Sequence, residues 1–405
     1  MSALFAAKPR STSANKVTPI KVIAAGCILA VGIAILVLIA RSNNAGQRDF
    51  ITYWAAGQQL IHGKNPYDFA AILSLERSAG FNQEQALVMR NPPIAFFMAL
   101  PLGFVSANTG IVLWLIVLIA GVVTSVHIIW DMNGHPANRL HLLGYCFAPL
   151  MVCLMAGQVG IFLLLGVVLF LKFVKTRPLI AGAALLLCAL KPHLFVPFGI
   201  VLILWALTTK SYRILVGFAL AFAASCALAL SVDPHAWSQY QQMLKTSGIM
   251  REIVPTLSEM FRYAVHRDTV WLQFIPEAAA CCWAVWYFRA RRDKWDWMHE
   301  GLLVLLVSVL CSPYSLFPDE ALLLPAVMAG VYRADNSKRS LIPFGIISAI
   351  AIFEVFINIP MTTVYYLWTV PAWLGWYLLA GNLDADSRSV DRGQSPGRTS
   401  IGIGE

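Results

Sequence analysis

Residues 22–40 read VIAAGCILAVGIAILVLIA, an uninterrupted run of apolar or small residues without a charge. The run exceeds the roughly 7–15 residues expected of the apolar core of a cleaved signal, and it approaches the roughly 20 that a membrane-spanning helix needs. Four basic residues precede it: Lys8, Arg10, Lys16 and Lys21. Because basic residues stay on the cytoplasmic side, we predict a spanning helix here and a cytoplasmic tail over residues 1–21.

The whole chain has the composition of a membrane protein. Of its 405 residues, 58% are hydrophobic and 13% are charged, whereas an average soluble chain carries roughly 25% charged residues. A soluble core cannot hide this much apolar surface, so the composition excludes a soluble enzyme, a disordered chain and a secreted disulfide scaffold. A membrane topology explains the net charge of +9 without nucleic acid, because Lys and Arg are retained on the cytoplasmic side.

Further apolar segments bring the predicted number of spanning helices to about twelve. They are 108–130, 139–157, 159–174, 178–191, 194–209, 213–231, 269–288, 298–311, 320–332, 340–357 and 362–380. This layout places both termini and most of the 30 basic residues on the cytoplasmic side. The predicted fold class is therefore an all-α polytopic membrane protein with one membrane domain over residues 22–380. The tail over 381–405, rich in Gly, Ser, Asp and Arg, is predicted to be cytoplasmic and disordered.

The segment 92–105 is apolar but too short for a straight span, and it contains Pro101 and Gly103. Counting it as a span would move the basic residues near 172–177 to the outer side or break the alternation later. We therefore predict a re-entrant or interfacial helix that stays on the outer side.

Two long outer loops, residues 41–91 and 232–268, carry helical patterning, which predicts short amphipathic helices lying on the outer surface. In the first loop, Asp49 precedes a helix that Gly63 can close, and Asp68 is placed to cap the next helix. Asn82, with Gln85 three residues later, predicts the start of a third helix. The charged residues of the second loop are predicted to form a solvated face: Arg251, Glu252, Glu259, Arg262 and Arg267.

The eight cysteines lie in or beside apolar stretches, and none has a C-x-x-C partner. We interpret them as small buried hydrophobic residues. The sequence therefore predicts neither a disulfide framework nor a zinc site.

Ionisable residues near the outer face are the first candidates for chemistry, because charged groups in a membrane are costly and commonly functional. Asp49 is a candidate general base for an attacking hydroxyl, and Tyr53, one turn later, shares its face and is a candidate for substrate binding. The alternative role of Asp49 is to cap the loop helix.

Lys191, Pro192 and His193 end a predicted span on the outer side, against the bias that keeps basic residues inside. A lysine beside an imidazole can hold a phosphate, with Lys as a point charge and His as a donor. The alternative is a lysine that extends along the apolar surface to reach water.

Further polar residues interrupt the apolar pattern. Asp319 follows an irregular stretch and either caps a helix or faces a cavity, and Gln158 belongs to a turn between two spans. Arg90 is placed to bind lipid headgroups or a ligand phosphate. Glu277 and Glu354 lie inside predicted spans and receive no role.

Several of these motifs resemble glycosyltransferase family 87. Residues 48–68 read RDFITYWAAGQQLIHGKNPYD, which is similar to the Asp-Phe…Tyr…Ala…Gly…Pro-Tyr-Asp pattern in the first outer loop of that family. Residues 91–95, NPPIA, resemble its Tyr-Pro-Pro motif, with Asn91 in place of the aromatic residue. Later signatures of the family resemble residues 157–158, 190–193 and 312–319.

The resemblance implies a membrane glycosyltransferase of the C superfamily that takes a hexose, mostly mannose, from a polyprenyl-phosphate donor. The reaction is expected on the outer face of a bacterial-type inner membrane. By this resemblance Asp49 is the general base, Lys191 contacts the donor phosphate, and His193, Gln158 and Asp319 line the pocket. Expected partners are the donor, a lipid or glycan acceptor and membrane lipids, with no nucleic acid. No cofactor is required, and a divalent metal stays an open alternative.

A polytopic transporter or a flippase for lipid-linked sugars is the alternative function, since both commonly have twelve spans. The helical first loop and the location of the polar candidates at one face, rather than at the bilayer midplane, disfavour it. A purely structural membrane subunit explains the spans but not Lys191.

Overall fold

The computed structural model describes residues 49–136, 139–248, 252–334, 341–357, 359–360 and 363–393. The regular secondary structure of these residues is helical, with 77% in helices and no β-strand, which confirms the all-α class. The α-helices are α1 (Phe50–Ile61), α2 (Phe69–Ser78), α3 (Phe96–Leu102), α4 (Ala107–Met132), α5 (Ala148–Ala156), α6 (Gly160–Phe173), α7 (Pro178–Ala184), α8 (Val196–Thr208), α9 (Tyr212–Val232), α10 (Ala236–Thr246), α11 (Leu257–Val265), α12 (Ile275–Arg291), α13 (Leu302–Leu310), α14 (Leu324–Arg333), α15 (Ile342–Phe356) and α16 (Thr369–Gly393). The predicted tail 1–21 and the predicted span 22–40 lie outside the described residues.

Two helices of the described part are long and apolar enough to cross a membrane: α4 with 26 residues and α9 with 21. Other predicted spans are built from shorter pieces, so the number of about twelve stays a prediction. The predicted span 178–191, for example, consists of α7 and a turn of 3₁₀-helix over Cys188–Leu190. It ends at Lys191, whose backbone is not helical (φ −137°, ψ 72°). The following Pro192 explains this, because proline disfavours helical backbone in the residue before it.

The first loop has two of the three helices predicted for it. α1 is followed by Gly63 at φ +63°, and the Asp68 carboxylate accepts the N–H groups of Ala70 and Ala71, both at 3.0 Å, at the start of α2. These two predictions are confirmed.

The prediction of a third helix beginning at Asn82 is wrong, because residues 81–90 form no helix. Phe81, Val88 and Met89 are buried in this stretch. The N–H of Leu87 donates to the Glu76 carboxylate at 3.1 Å instead of to a helical carbonyl. Burial of these apolar residues therefore overrides the local cap signal.

The short apolar segment after this stretch forms a turn of 3₁₀-helix over Pro93–Ala95 and then α3. Together they extend about 15 Å at 1.5 Å per residue, about half of the hydrocarbon thickness. This length agrees with the prediction that 92–105 is no straight span. α3 packs on α1, where Gly57 and Gly103 let the two backbones touch, since a Cβ at Gly57 would collide with the carbonyl oxygen of Ala99.

The structure corrects the prediction of a solvated face in the second loop. Glu259 and Arg262 are each only 2% exposed and form an ion pair with each other. Glu252 pairs with Arg90, Arg267 is exposed and lies over the ring of Tyr263, and Arg251 lies outside the described residues. The prediction is therefore wrong for the pair on α11, whose charges neutralise each other inside the protein.

Two further predictions change. α16 continues to Gly393, so the structure describes residues 381–393 of this tail as helical, while 394–405 lie outside the described residues and the disordered tail stays a prediction. An existing helix is extended at little cost because its nucleus has already formed. The seven described cysteines are free, but Cys146 and Cys282 are exposed rather than buried.

Candidate active site

Asp49 lies immediately before α1 and is held by the turn between α5 and α6. Its N–H donates to the carbonyl of Ala156 at 3.0 Å, and the side-chain amide of Gln158 donates to its carboxylate. Gly157, at φ +72°, forms this turn. The Asp49 side chain accepts no capping hydrogen bond from α1, so the alternative role as a helix cap is wrong.

The groups around Asp49 have opposing effects on its pKa. Burial raises the pKa of Asp49, and the hydrogen bond from Gln158 and the positive charges of Lys191 and Arg90 oppose this rise; the negative charge of Asp319 adds to it. The net effect is a raised pKa. A carboxylate of this kind is a stronger proton acceptor than an exposed aspartate.

Lys191 and Asp319 form a buried ion pair at the edge of this site. The Lys191 Nζ lies 2.5 Å from Asp319 Oδ1, and the Asp319 side chain is fully buried. Asp319 Oδ2 accepts the N–H of Leu316 at 3.1 Å, so both carboxylate oxygens are bonded. An ammonium group has three donors, which leaves Lys191 able to bind a further anion.

His193 lies beside this pair in a short 3₁₀-helix over Pro192–Phe195. Its ring meets Tyr314 edge-on at 5.9 Å between centroids. Its Nε2 is buried and has no hydrogen-bond partner within the described part of the chain. Burial, together with the charge of Lys191, lowers the pKa of His193 to about 4, so the imidazole is neutral at pH 7 and either donates or accepts at Nε2.

The Arg90 side chain connects three segments of the chain: its own, the one that contains Glu252 and the one that contains Tyr314. Its guanidinium contacts both carboxylate oxygens of Glu252, at 2.7 and 2.5 Å, and the hydroxyl of Tyr314 at 2.8 Å. The Arg90 side chain is 41% exposed. The guanidinium is thus fixed in place near Asp49 while one side remains open to solvent.

Asn91 connects three segments at the site through its hydrogen bonds, although the sequence did not single it out as a candidate site residue. Its side chain accepts from the Tyr53 hydroxyl at 3.2 Å and donates to the carbonyl of Leu190 at 2.9 Å. Its backbone carbonyl accepts from the Tyr67 hydroxyl at 3.1 Å. Asn91 thereby holds α1 against the residue that precedes Lys191. The sequence feature that could have pointed to Asn91 is its replacement of the family's aromatic residue in the NPPIA motif.

Tyr53 is buried beside the site, and its hydroxyl bonds to Asn91 rather than to Asp49. Its ring stacks on Trp114 with 5.2 Å between centroids, and the indole N–H of Trp114 donates to the carbonyl of Gly157 at 2.7 Å. Trp114 lies in no motif, Glu252 was expected to face water, and Tyr314, although within the 312–319 signature, was not singled out, so only their contacts reveal a place at the site. Tyr53 as a substrate contact stays a prediction.

The structure therefore brings most sequence-predicted candidates to one place. Asp49 is in electrostatic contact with Lys191, Arg90 and Asp319 and bonds to Gln158. Among the described residues, no three His, Cys, Asp or Glu side chains are arranged to hold a metal ion. Glu354, by contrast, accepts from the indole N–H of Trp368 at 3.0 Å.

The sequence pattern of glycosyltransferase family 87 matches residues 90–313, more than half of the chain. This chain belongs to glycosyltransferase family 87. As a member of family 87 it is a membrane glycosyltransferase that uses a sugar donor and an acceptor. The match includes Arg90, Gln158, Lys191 and His193, while Asp49 and Asp319 lie on either side of it. No curated protein and no solved structure matches the chain.

Proposed function

We propose that this family 87 protein transfers a hexose, in the first instance mannose, from a polyprenyl-phosphate donor to an acceptor hydroxyl. The reaction takes place on the outer face of a bacterial-type inner membrane, with Asp49 as the general base and inversion at the anomeric carbon. The acceptor is a lipid or a glycan. The mannose and the lipid carrier follow from the family resemblance of the first loop and of residues 190–193.

The observation that carries the proposal is the convergence of one half-buried carboxylate and two cations. Asp49 lies close enough to Lys191 and Arg90 for both positive charges to act on its pKa, although the three residues come from distant parts of the chain. Base and cations at one place suit a reaction in which a hydroxyl loses a proton while a phosphate departs.

The chemistry balances with these groups alone. The acceptor oxygen forms a bond to the anomeric carbon and gives its proton to Asp49, while the bond between that carbon and the phosphate oxygen breaks. The leaving polyprenyl phosphate gains a negative charge, which Lys191 and Arg90 stabilise. Since the donor carries its own leaving group, no acid catalyst is needed. Displacement from the face opposite the phosphate turns a β-linked donor into an α-glycoside.

Gln158, Asp319 and His193 have supporting roles in this proposal. Gln158 orients the Asp49 carboxylate, and Asp319 holds the ammonium of Lys191. His193 lines the pocket beside Lys191, where its Nε2 is free to meet a polar group of a substrate. No cofactor is required for the step, and a divalent metal is not part of the proposal.

The decisive experiment is sugar transfer by the purified protein in lipid bilayers, with radiolabelled polyprenyl-phosphate mannose and a membrane extract as acceptor. For Asp49→Asn we expect transfer to fall by about 10²–10⁴-fold, with donor binding retained. The matched control is Asp68→Asn in the same loop, since asparagine caps a helix as well as aspartate does and transfer should be unchanged.

Equal transfer by wild type and Asp49→Asn would remove Asp49 from the role of base. Transfer from a different lipid-linked sugar would correct the donor and retain the mechanism. Movement of lipid-linked sugar across sealed vesicles without transfer would instead establish the flippase alternative.

A further inference from the structure

α11 is turned the opposite way from a helix on a water-facing surface. Leu257, Met260 and Val265 are exposed by 43%, 43% and 57%, and Ala264 is exposed as well. Together with the half-buried Phe261, these residues follow the 3–4-residue spacing of one helix face. The apolar stripe of α11 therefore points away from the protein.

The polar face of α11 is buried and bonded. The Ser258 hydroxyl donates to the carbonyl of Cys311 at 2.7 Å, and Glu259 and Arg262 pair with each other. Thr256 caps the helix by accepting the N–H of Glu259 at 3.1 Å. These bonds fix the rotation of the helix, because turning it over would break the hydrogen bond between Ser258 and Cys311 and carry the buried Glu259–Arg262 pair out of the protein.

The neighbouring helix α10, in the same loop, has the ordinary orientation. Its buried residues are Ala236 and Met243, and its exposed residues are mainly polar: Ser238, Gln241, Gln242, Lys245 and Thr246. The two helices lie only 10 residues apart in the chain, between Thr246 and Leu257, yet they present opposite faces. Their surroundings must therefore differ.

A second apolar patch lies just before and at the start of α12. Trp271, Phe274 and Ile275 are all exposed there, Trp271 by 64%. Between the two apolar patches lie three exposed polar residues, His266, Arg267 and Asp268. Two exposed apolar patches separated by a short polar segment are typical of a chain at the boundary between acyl chains and headgroups.

We propose that α11 is embedded by its apolar face in the membrane leaflet on the side of the active site. The occupant of this face is the acyl chains of membrane lipids, and His266, Arg267 and Asp268 lie at headgroup level. Glu259 and Arg262, predicted from sequence to face water, thus face the protein, while the apolar residues of α11 contact the membrane. The Ser258 hydroxyl donates to the carbonyl of Cys311, three residues before Tyr314, which contacts both Arg90 and His193. The lipid contact of α11 therefore helps to hold this side of the active site in place.

The test places an environment-sensitive fluorophore on the two helices. The variants Met260→Cys on α11 and Gln241→Cys on α10 are labelled in the full chain and reconstituted in phosphatidylcholine bilayers. The parent protein, labelled in the same way, gives the emission from the native cysteines, which is subtracted. We expect blue-shifted emission at position 260 and loss of most of it when doxyl-labelled phosphatidylcholine is added. Position 241, which is also exposed, should emit as in water and lose little of its emission to doxyl lipid.

Water-like emission at position 260 would overturn the proposal. Blue-shifted emission that doxyl lipid does not quench would also overturn it, since the face would then be covered by protein, such as a second copy. A second pair of variants checks the result without a label. Met260→Lys should lower the unfolding temperature in bilayers, whereas Gln241→Lys should leave it unchanged; equal effects of the two would contradict lipid burial.

Discussion

The Lys191 ammonium lies 2.5 Å from the carboxylate of Asp319, although 128 residues separate the two in the chain. The pair joins the end of one helical segment to the start of another, inside the protein. It sits beside Asp49, on whose pKa both charges act. The position of a cation at the candidate active site thus depends on a residue from a distant part of the sequence.

Breaking this pair should be costly, because it leaves a buried charge without a partner. For Lys191→Ala we expect a loss of about 3–5 kcal/mol in the free energy of unfolding, and the added substitution Asp319→Asn should recover part of it. Chemical denaturation in detergent measures both. The control is Lys175→Ala, whose pair with Asp296 is exposed and is worth at most about 1 kcal/mol. Similar losses at positions 175 and 191 would contradict the structural role of the buried pair.

Gln158 should set the pH dependence of transfer. Its hydrogen bond lowers the pKa of Asp49, so Gln158→Leu should raise that pKa further. A base must be deprotonated to act, and activity is lost as the pH falls through its pKa. The acid limb of the profile of kcat/KM against pH should therefore move to higher pH. Gln241→Leu, at an exposed position on α10, is the control. A lower rate at every pH, with the acid limb unmoved, would show a purely structural role.

Arg90 and Glu252 form one ion pair, but their substitutions should differ. Arg90→Ala removes a cation of the proposed phosphate site and should raise the KM for the donor by about 10-fold or more, since charged hydrogen bonds contribute about 1.5–3 kcal/mol. Glu252→Ala breaks the same pair yet retains the guanidinium, so the donor KM should stay equal or fall. Steady-state kinetics with varied donor measures the difference. If both variants raise KM alike, the pair only holds the loops together.

Gly57 should tolerate no side chain. A Cβ there would collide with the backbone of Ala99 and Gly103, and backbone atoms cannot move aside as a side chain can. Gly57→Ala should therefore destabilise the protein by about 1–3 kcal/mol or more and displace α1, with loss of transfer. Gly199→Ala in α8 is the control, because a Cβ there meets nothing within 4 Å. Thermal unfolding of both variants decides; an unfolding temperature of Gly57→Ala equal to that of the control would contradict the close packing.

Glu76 should make stability depend on pH. Burial raises its pKa from 4.5 to about 7, so the folded state favours the protonated form. Its contribution is fully present below pH 4.5 and is lost as the pH rises through 7. At 1.36 kcal/mol per pKa unit, the free energy of unfolding should fall by up to about 3 kcal/mol over this range. Glu76→Gln should flatten the dependence, whereas Glu84→Gln, at an exposed position, should not. An unchanged pH profile in Glu76→Gln would reject the assignment.

Local signals in the sequence predicted much of the helical structure. The Asp68 cap, the Gly63 stop and the proline after Lys191 each act within a few residues, so their effect needs no knowledge of the fold. The cap signal at Asn82 failed where Phe81, Val88 and Met89 found places in the interior. Tertiary burial of apolar side chains outweighs a capping preference of about 1 kcal/mol.

In the candidate site, too, some residues could be predicted from the sequence and others only from their contacts in the structure. Asp49, Lys191 and Asp319 stood out from the sequence because ionisable groups are rare in so apolar a chain. Their partners did not: Glu252 was expected to face water, and Tyr314, although within the 312–319 signature, had no role until its contact with Arg90 was seen.

The sequence by itself determined the all-α class, the membrane character and the charged residues worth suspecting, because composition and short-range periodicity are properties of the chain alone. Only the tertiary structure decided which charges pair and which face of α11 points outward. Both depend on contacts between residues far apart in sequence, such as Lys191 with Asp319 and Ser258 with Cys311. The physical reason is that burying a polar group costs free energy unless a hydrogen-bond partner satisfies it, and that partner often lies far away in the sequence.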